Sequence, residues 1–181
     1  MTDSKKSPGL LIVYTGNGKG KTTAALGMCV RAVGWGWRVC ILQFIKGSWK
    51  YGELEGIKRL APEVELHVVG QGFVGIGDDD KSFEEHQEAA RQGLAEVEQI
   101  LISQAFQLVI LDELNNAIQL GLLTREDIQK ILDIRSEQQH IVITGRDAPD
   151  WMIDQADLVT EMKEIKHPFQ KGVKAQKGVD W

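Results

Sequence analysis

The chain is poor in the residues that mark several whole classes of protein. Its 181 residues include 2 cysteines, Cys29 and Cys40. Two cannot build a disulfide framework, and neither stands in a C-x-x-C or Cys/His spacing that suits a metal. Both lie inside apolar runs and are expected to be packed thiols of a protein of the reducing cytoplasm. Prolines number 4, and no low-complexity linker interrupts the chain. No run approaches the ~18–20 apolar residues of a membrane helix. Residues 1–9 are polar, without the apolar stretch of a secretory signal, so no membrane role is expected. Cationic residues are in deficit, 21 Lys and Arg against 26 Asp and Glu, for a net charge of −5. That balance opposes a nucleic-acid coat, which needs clustered surface cations to release counterions. It leaves room for a local basic pocket that takes phosphate.

What the chain does have is alternation. Short β-branched runs at 10–15, 38–44, 64–69, 108–111, 141–144 and 158–162 read as strands. Between them lie helical patterns at 21–33, 82–105, 124–132 and 150–156. Two of these open on capping boxes, Ser82 with Glu85 and Thr124 with Asp127. Leu94, Val97, Ile100 and Leu101 share one helical face. Continuously apolar strands suit burial on both sides. The expected fold is therefore α/β, an open, mostly parallel sheet with helices on both faces. One domain is expected over 10–181, after a flexible polar N-terminus at 1–9. Residues 163–181 read as a basic tail without a period.

The strongest chemical signal is Thr15-Gly16-Asn17-Gly18-Lys19-Gly20-Lys21-Thr22-Thr23. Glycines let successive N–H groups curl around an anion, and the helix that follows points its positive end at the same place. Lys21 adds a point charge, and Thr22 a hydroxyl for Mg²⁺. The fold is thus P-loop NTPase-like. The loop departs from G-x-x-x-x-G-K-[ST], however. In register, Thr15 takes the first glycine's place; counted from Gly16, the loop is one residue short. The second element is Leu108-Val109-Ile110-Leu111-Asp112-Glu113, a strand ending in two acids where P-loop proteins hold Mg²⁺.

These motifs resemble the P-loop type of ATP:corrinoid adenosyltransferases, the cob(I)yrinic acid a,c-diamide adenosyltransferases. The likeness continues through Gln43-Phe44-Ile45-Lys46-Gly47, Leu111 to Asn115, Thr144-Gly145-Arg146, Glu161-Met162, Lys166 to Phe169, and Gly172 to Trp181. The resemblance implies transfer of the 5′-deoxyadenosyl group of ATP to the cobalt(I) of a reduced corrinoid, releasing triphosphate. It also implies a nucleotide lying in the opposite sense to that of ordinary P-loop enzymes. Because cobalt(I) is itself the nucleophile, no Ser, Cys or His nucleophile is needed.

Residue by residue, the resemblance implies nucleotide binding by Gly16, Asn17, Gly18, Lys19, Gly20, Lys21, Thr22, Thr23 and Arg146. Lys21 and Glu113 are the catalytic candidates, and Thr22, Asp112 and Glu113 the candidates to hold Mg²⁺ or Mn²⁺. Arg146 serves either a phosphate or a structural ion pair, and Lys46 faces either nucleotide or solvent. Related chains often carry G-x-G-F-T-W after the third strand. Here Gly70-Gln71-Gly72-Phe73-Val74-Gly75 keeps Phe73, the corrinoid-binding candidate, and puts glycine where tryptophan would stand. A homodimer and an electron donor such as a flavodoxin-like protein are implied as partners. The competing readings are a phosphoryl-transfer kinase or ATPase, and a corrinoid carrier or regulatory nucleotide-binding module.

The other conspicuous residues read as structural. His67 lies in a strand, His86 on a solvated helix, and His140 just before a strand. His167 shares the family's tail without an assigned role. Trp35 and Trp37 are expected to pack at a helix end. Asp78-Asp79-Asp80 reads as a charged turn before Ser82.

Overall fold

The computed structural model describes residues 7–46, 51–72 and 80–180. Phe73, Gly75, Asp78 and Asp79 lie outside the described residues, as do 1–6 of the N-terminus.

Six strands form one sheet: β1 (Leu11–Thr15), β2 (Val39–Gln43), β3 (Val64–Val68), β4 (Leu108–Asp112), β5 (His140–Thr144) and β6 (Leu158–Glu161). Their order is β3-β2-β4-β5-β1-β6, and every pairing is parallel. Six helices connect them: α1 (Lys21–Gly34), α2 (Gly52–Ile57), α3 (Phe83–Ser103), α4 (Leu114–Gln119), α5 (Arg125–Ile134) and α6 (Asp150–Gln155).

The period-2 geometry of a strand divides its side chains between two cores. Ile12, Ile41, Ile110 and Val142 point to one face, where Ala25, Cys29 and Ala32 of α1 cover them. Val13, Leu42, Leu111 and Ile143 point to the other, beneath Leu94, Val97 and Leu101 of α3, Ile128 of α5 and Met152 of α6. Both faces are thus covered, as the continuous apolar runs require. Both cysteines are buried and free. The two capping boxes form as expected, with Ser82 accepting from the Glu85 N–H and Thr124 from the Asp127 N–H. α3 stops at Ser103 because Gln104 turns into the left-handed region, φ 52°.

Several expectations need correction. His86 is buried at 3% exposure, not solvated; it is in phase with Ala90, Leu94, Val97 and Leu101, the buried stripe of α3. Trp35 is 83% exposed, because it follows the last turn of α1 and points away from the sheet. Trp37 does pack, stacked on His140 with ring centroids 5.1 Å apart. His140 opens β5, and its Nδ1 accepts the Leu10 N–H at 3.1 Å. The basic tail is not featureless: Pro168–Lys171 forms a 3₁₀ turn, opened by His167 accepting the Phe169 N–H.

Parallel order sends every strand's carboxyl end to one edge of the sheet. Thr15, Gln43, Asp112, Thr144 and Glu161 all finish there. Loops at that edge build ligand sites in open α/β sheets.

Candidate functional site

A cavity of about 600 Å³ opens at this edge. The loop 17–20 and the first turn of α1 form one side, and Glu113, Asn116 and Arg146 a second. Lys46, Tyr51 and Glu53 form the third, and Glu164, His167 and 178–180 of the tail the fourth.

The loop's shape depends on glycine where no other residue fits. Gly16 has φ 91°, and a Cβ there would lie 2.5 Å from the Met162 carbonyl oxygen. The Gly18 N–H donates to that oxygen at 2.7 Å, so the loop leans on the chain leaving β6. Asn17 Oδ1 accepts the Glu164 N–H at 3.2 Å. Thr15, which breaks the usual motif, has a structural use: its hydroxyl accepts the Ala148 N–H at 3.0 Å, fastening the segment between β5 and α6.

Lys21 folds back over the loop, donating to the carbonyls of Gly16 at 2.7 Å and Gly18 at 2.8 Å. Burial, then the Arg146 guanidinium, lowers its pKa; Glu113, Asp147 and Asp112 pull the other way. The guanidinium of Arg146 has no carboxylate in ion-pair range among the described residues, and lines the cavity. Thr23 also lines the cavity. Lys19 is different: its ammonium is ion-paired with Asp180 of the tail.

Asp112 is the hub of a buried network. Its Oδ1 accepts from Thr22 Oγ1 at 2.8 Å and Thr144 Oγ1 at 2.7 Å. Its Oδ2 accepts from Gln43 Nε2 at 3.1 Å and faces Lys46 Nζ at 3.6 Å. Lys46 also bonds Glu53 Oε1 at 2.5 Å and lies 4.9 Å from the Tyr51 ring centre. It is 8% exposed, at the cavity wall rather than in open solvent. Burial opposes its charge, but Asp112, Glu53 and Glu113 together raise its pKa. The ammonium is therefore an internal counterion for the acids.

The side chain of Glu113 has no bond in this network, which its backbone joins. Its backbone is left-handed, φ 61°, and its N–H donates to Thr144 Oγ1 at 2.9 Å. Its Oε2 is buried without a hydrogen-bond partner among the described residues. Burial, then the Asp112 charge, raises its pKa, against Lys46, Lys21 and Arg146. A buried carboxylate oxygen with nothing to accept is costly unless a ligand or cation completes it.

Sequence reasoning missed Thr144 and Gln43, which position Asp112, and the tail's place in the wall. A hydroxyl closing a strand beside an acid-closed strand was the available signal for Thr144. Phe73, the corrinoid candidate, lies outside the described residues.

The family model for ATP:corrinoid adenosyltransferase BtuR/CobO/CobP matches residues 7–181, the loop and tail included. The chain belongs to that family. It is 41% identical to a corrinoid adenosyltransferase of Pseudomonas aeruginosa over 181 residues, spanning 100% of this chain and 88% of the relative. A corrinoid adenosyltransferase of Escherichia coli (strain K12) is 40% identical, with 96% and 86% covered. One of Salmonella typhimurium is 37% identical, with 100% and 90% covered. Among solved structures, the flagellar accessory protein FlaH of Methanocaldococcus jannaschii superposes with a TM-score of 0.57 at 11% identity, covering 86% of this chain and 72% of FlaH. That likeness concerns the fold alone. With those relatives, this chain is a corrinoid adenosyltransferase. No described helix is long and apolar enough to cross a membrane.

Proposed function

We propose that this chain binds ATP in the cavity at the phosphate loop and transfers its 5′-deoxyadenosyl group to the cobalt(I) of a reduced corrinoid, with triphosphate as the leaving group. The observation that carries this reading is the convergence of two cations, Lys21 and Arg146, and the orphan carboxylate of Glu113 on one cavity.

In the transfer, the electron pair of the cobalt(I) substrate attacks C5′. A cobalt–carbon bond forms, and the bond from C5′ to the α-phosphate oxygen breaks. Negative charge grows on the departing polyphosphate. Lys21 turns from the Gly16 and Gly18 carbonyls to that oxygen, joined by loop N–H groups and Arg146, and neutralises the charge as it develops. Gly16, Asn17, Gly18, Gly20, Thr22 and Thr23 supply the cradle.

Mg²⁺ or Mn²⁺ suits the donor set, since such ions use one or two carboxylates together with substrate phosphates. Glu113 Oε2 is unpartnered, the Thr22 oxygen keeps lone pairs after donating to Asp112, and no cage of three His, Cys, Asp or Glu exists among the described residues. Glu113 and Thr22 would hold the ion, with Asp112 positioning Thr22, and the ion would offset polyphosphate charge. Phe73 is assigned to the corrinoid face, and a homodimer and a flavodoxin-like electron donor complete the reading, as the resemblance in the sequence implies.

The test is an anaerobic reaction of protein, Mg²⁺, ATP and chemically reduced corrinoid. The expected result is a light-sensitive alkylcobalt product and one triphosphate per turnover. Orthophosphate without a cobalt–carbon bond would replace this reading with a kinase or ATPase.

A further inference from the structure

Lys19 stands inside the phosphate loop, yet its partner is a carboxylate, Asp180. These residues are 161 positions apart in the chain. Asp180 is fixed in place by a tight turn: its Oδ2 accepts the Gln176 N–H at 2.7 Å, and its own N–H donates to the Gln176 carbonyl at 2.8 Å. Gly178, Val179 and Asp180 of that turn line the cavity.

Little else described holds this turn down. Ile165 is 82% exposed, Phe169 73% and Val179 76%, so no apolar burial anchors the strap that bears it. Charge works against docking as well. Lys166, Lys171 and Lys174 precede the turn, Lys177 lies in it, and Asp180 is the one acid between 165 and 180. A basic strap beside a basic loop is repelled except through that carboxylate. The Lys19 side chain is half exposed, at 48%, so salt screens the pair and the contact is releasable.

We infer that Asp180 is a positioning residue: by pairing with Lys19 it seats the 176–180 turn as a wall of the nucleotide cavity. Lys19 then serves the strap rather than the phosphates, unlike its expected role. The inference rests on the nucleotide reading above. It predicts that loss of either charge loosens the wall and weakens ATP binding, while the groups around the reacting atoms keep their places.

A double-mutant cycle tests this with Asp180→Asn, Lys19→Met and the pair together. Asparagine still accepts the Gln176 N–H, so it removes charge and keeps the turn. Each single variant is expected to raise the KM for ATP five- to tenfold, with kcat changed less than twofold, and the double variant is expected to be no worse than either single. Added NaCl at 0.5 M, roughly a 4 Å screening length, raises the parent's KM by a larger factor than the variants', which have no latch left to screen. Hydrogen exchange at amides 176–180 rises equally in both singles, with unchanged urea midpoints. Additive KM effects, or an Asp180→Asn variant that binds ATP as well as the parent, would overturn the inference in favour of Lys19 as a phosphate ligand. If the parent makes no alkylcobalt product, the proposed function fails by itself, and the exchange data still decide whether the strap is latched.

Discussion

The hydroxyl of Thr22 donates to Oδ1 of Asp112 at 2.8 Å. This bond ties the first turn of α1, and so the phosphate loop, to the end of β4 beside Glu113. The same carboxylate also takes Thr144, Gln43 and Lys46. One acid therefore sets the relative position of three strand ends and a helix.

Asp112→Asn should be costly for stability. The amide keeps one acceptor for Thr22 and Thr144 but turns an NH₂ toward Gln43 Nε2 and Lys46 Nζ, donor against donor. It also leaves the buried ammonium of Lys46 with Glu53 as its remaining carboxylate partner. Breaking such a buried pair from one side costs about 3 kcal/mol. Urea denaturation of parent and variant measures it; a change below about 1 kcal/mol by the same principle would mean that the network is not the keystone of this edge.

Lys21→Ala should separate chemistry from folding. Its ammonium bonds two loop carbonyls that water can satisfy equally well, so the expected stability loss is about 1 kcal/mol or less. The transition state loses its main point charge, and turnover should fall ~100-fold or more. Steady-state adenosylation beside a thermal melt checks both halves.

Glu113 gives a pH signature. Its folded pKa is raised above the ordinary 4.5, burial first and Asp112 second. The unfolded chain then ionises this group more readily than the folded one. Stability from this group is therefore whole below about pH 4.3, the free-side-chain value, and is lost as pH rises through the folded pKa. Glu113→Gln should flatten that part of the urea-midpoint profile and stabilise the ligand-free protein at neutral pH. The same variant should weaken Mg²⁺-dependent ATP binding, as read by calorimetry with and without the ion.

The two thiols should be silent in the native state. Burial pushes both Cys29 and Cys40 up to about 12, and thiolate is the reactive form. Ellman's reagent should find no thiol in the folded enzyme at pH 8 and both after unfolding. Rapid reaction of either one in native buffer would contradict the packing of α1 and β2 described above.

Much of the fold was legible because burial on both faces writes itself into composition. Leu108 to Leu111 and Ile141 to Ile143 are continuous apolar runs, and each became an interior strand. Ser82 with Glu85 and Thr124 with Asp127 marked two helix starts through local hydrogen bonding alone. α4 carried no such mark, since it is six residues long and begins at a left-handed glutamate without a side-chain cap. α2 holds two glycines in six residues and was equally unannounced. Trp35 misled because a lone aromatic is buried only if the fold supplies a neighbour. His86 was readable from its spacing to Ala90 and Leu94. The loop motif and the strand ends pointed to Lys21, Thr22, Glu113 and Arg146, which the fold brings to one cavity. The tail's contribution was not, because a contact across 161 residues leaves no local pattern.

The left-handed backbone of Glu113, φ 61°, suits glycine or asparagine better than a residue with a long side chain. With the role proposed for Glu113, stability and chemistry pull in opposite directions at this one codon. A library screened for heat survival alone should drift there toward the smaller residues and gain resistance while shedding turnover, whereas screening for product should restore the acid.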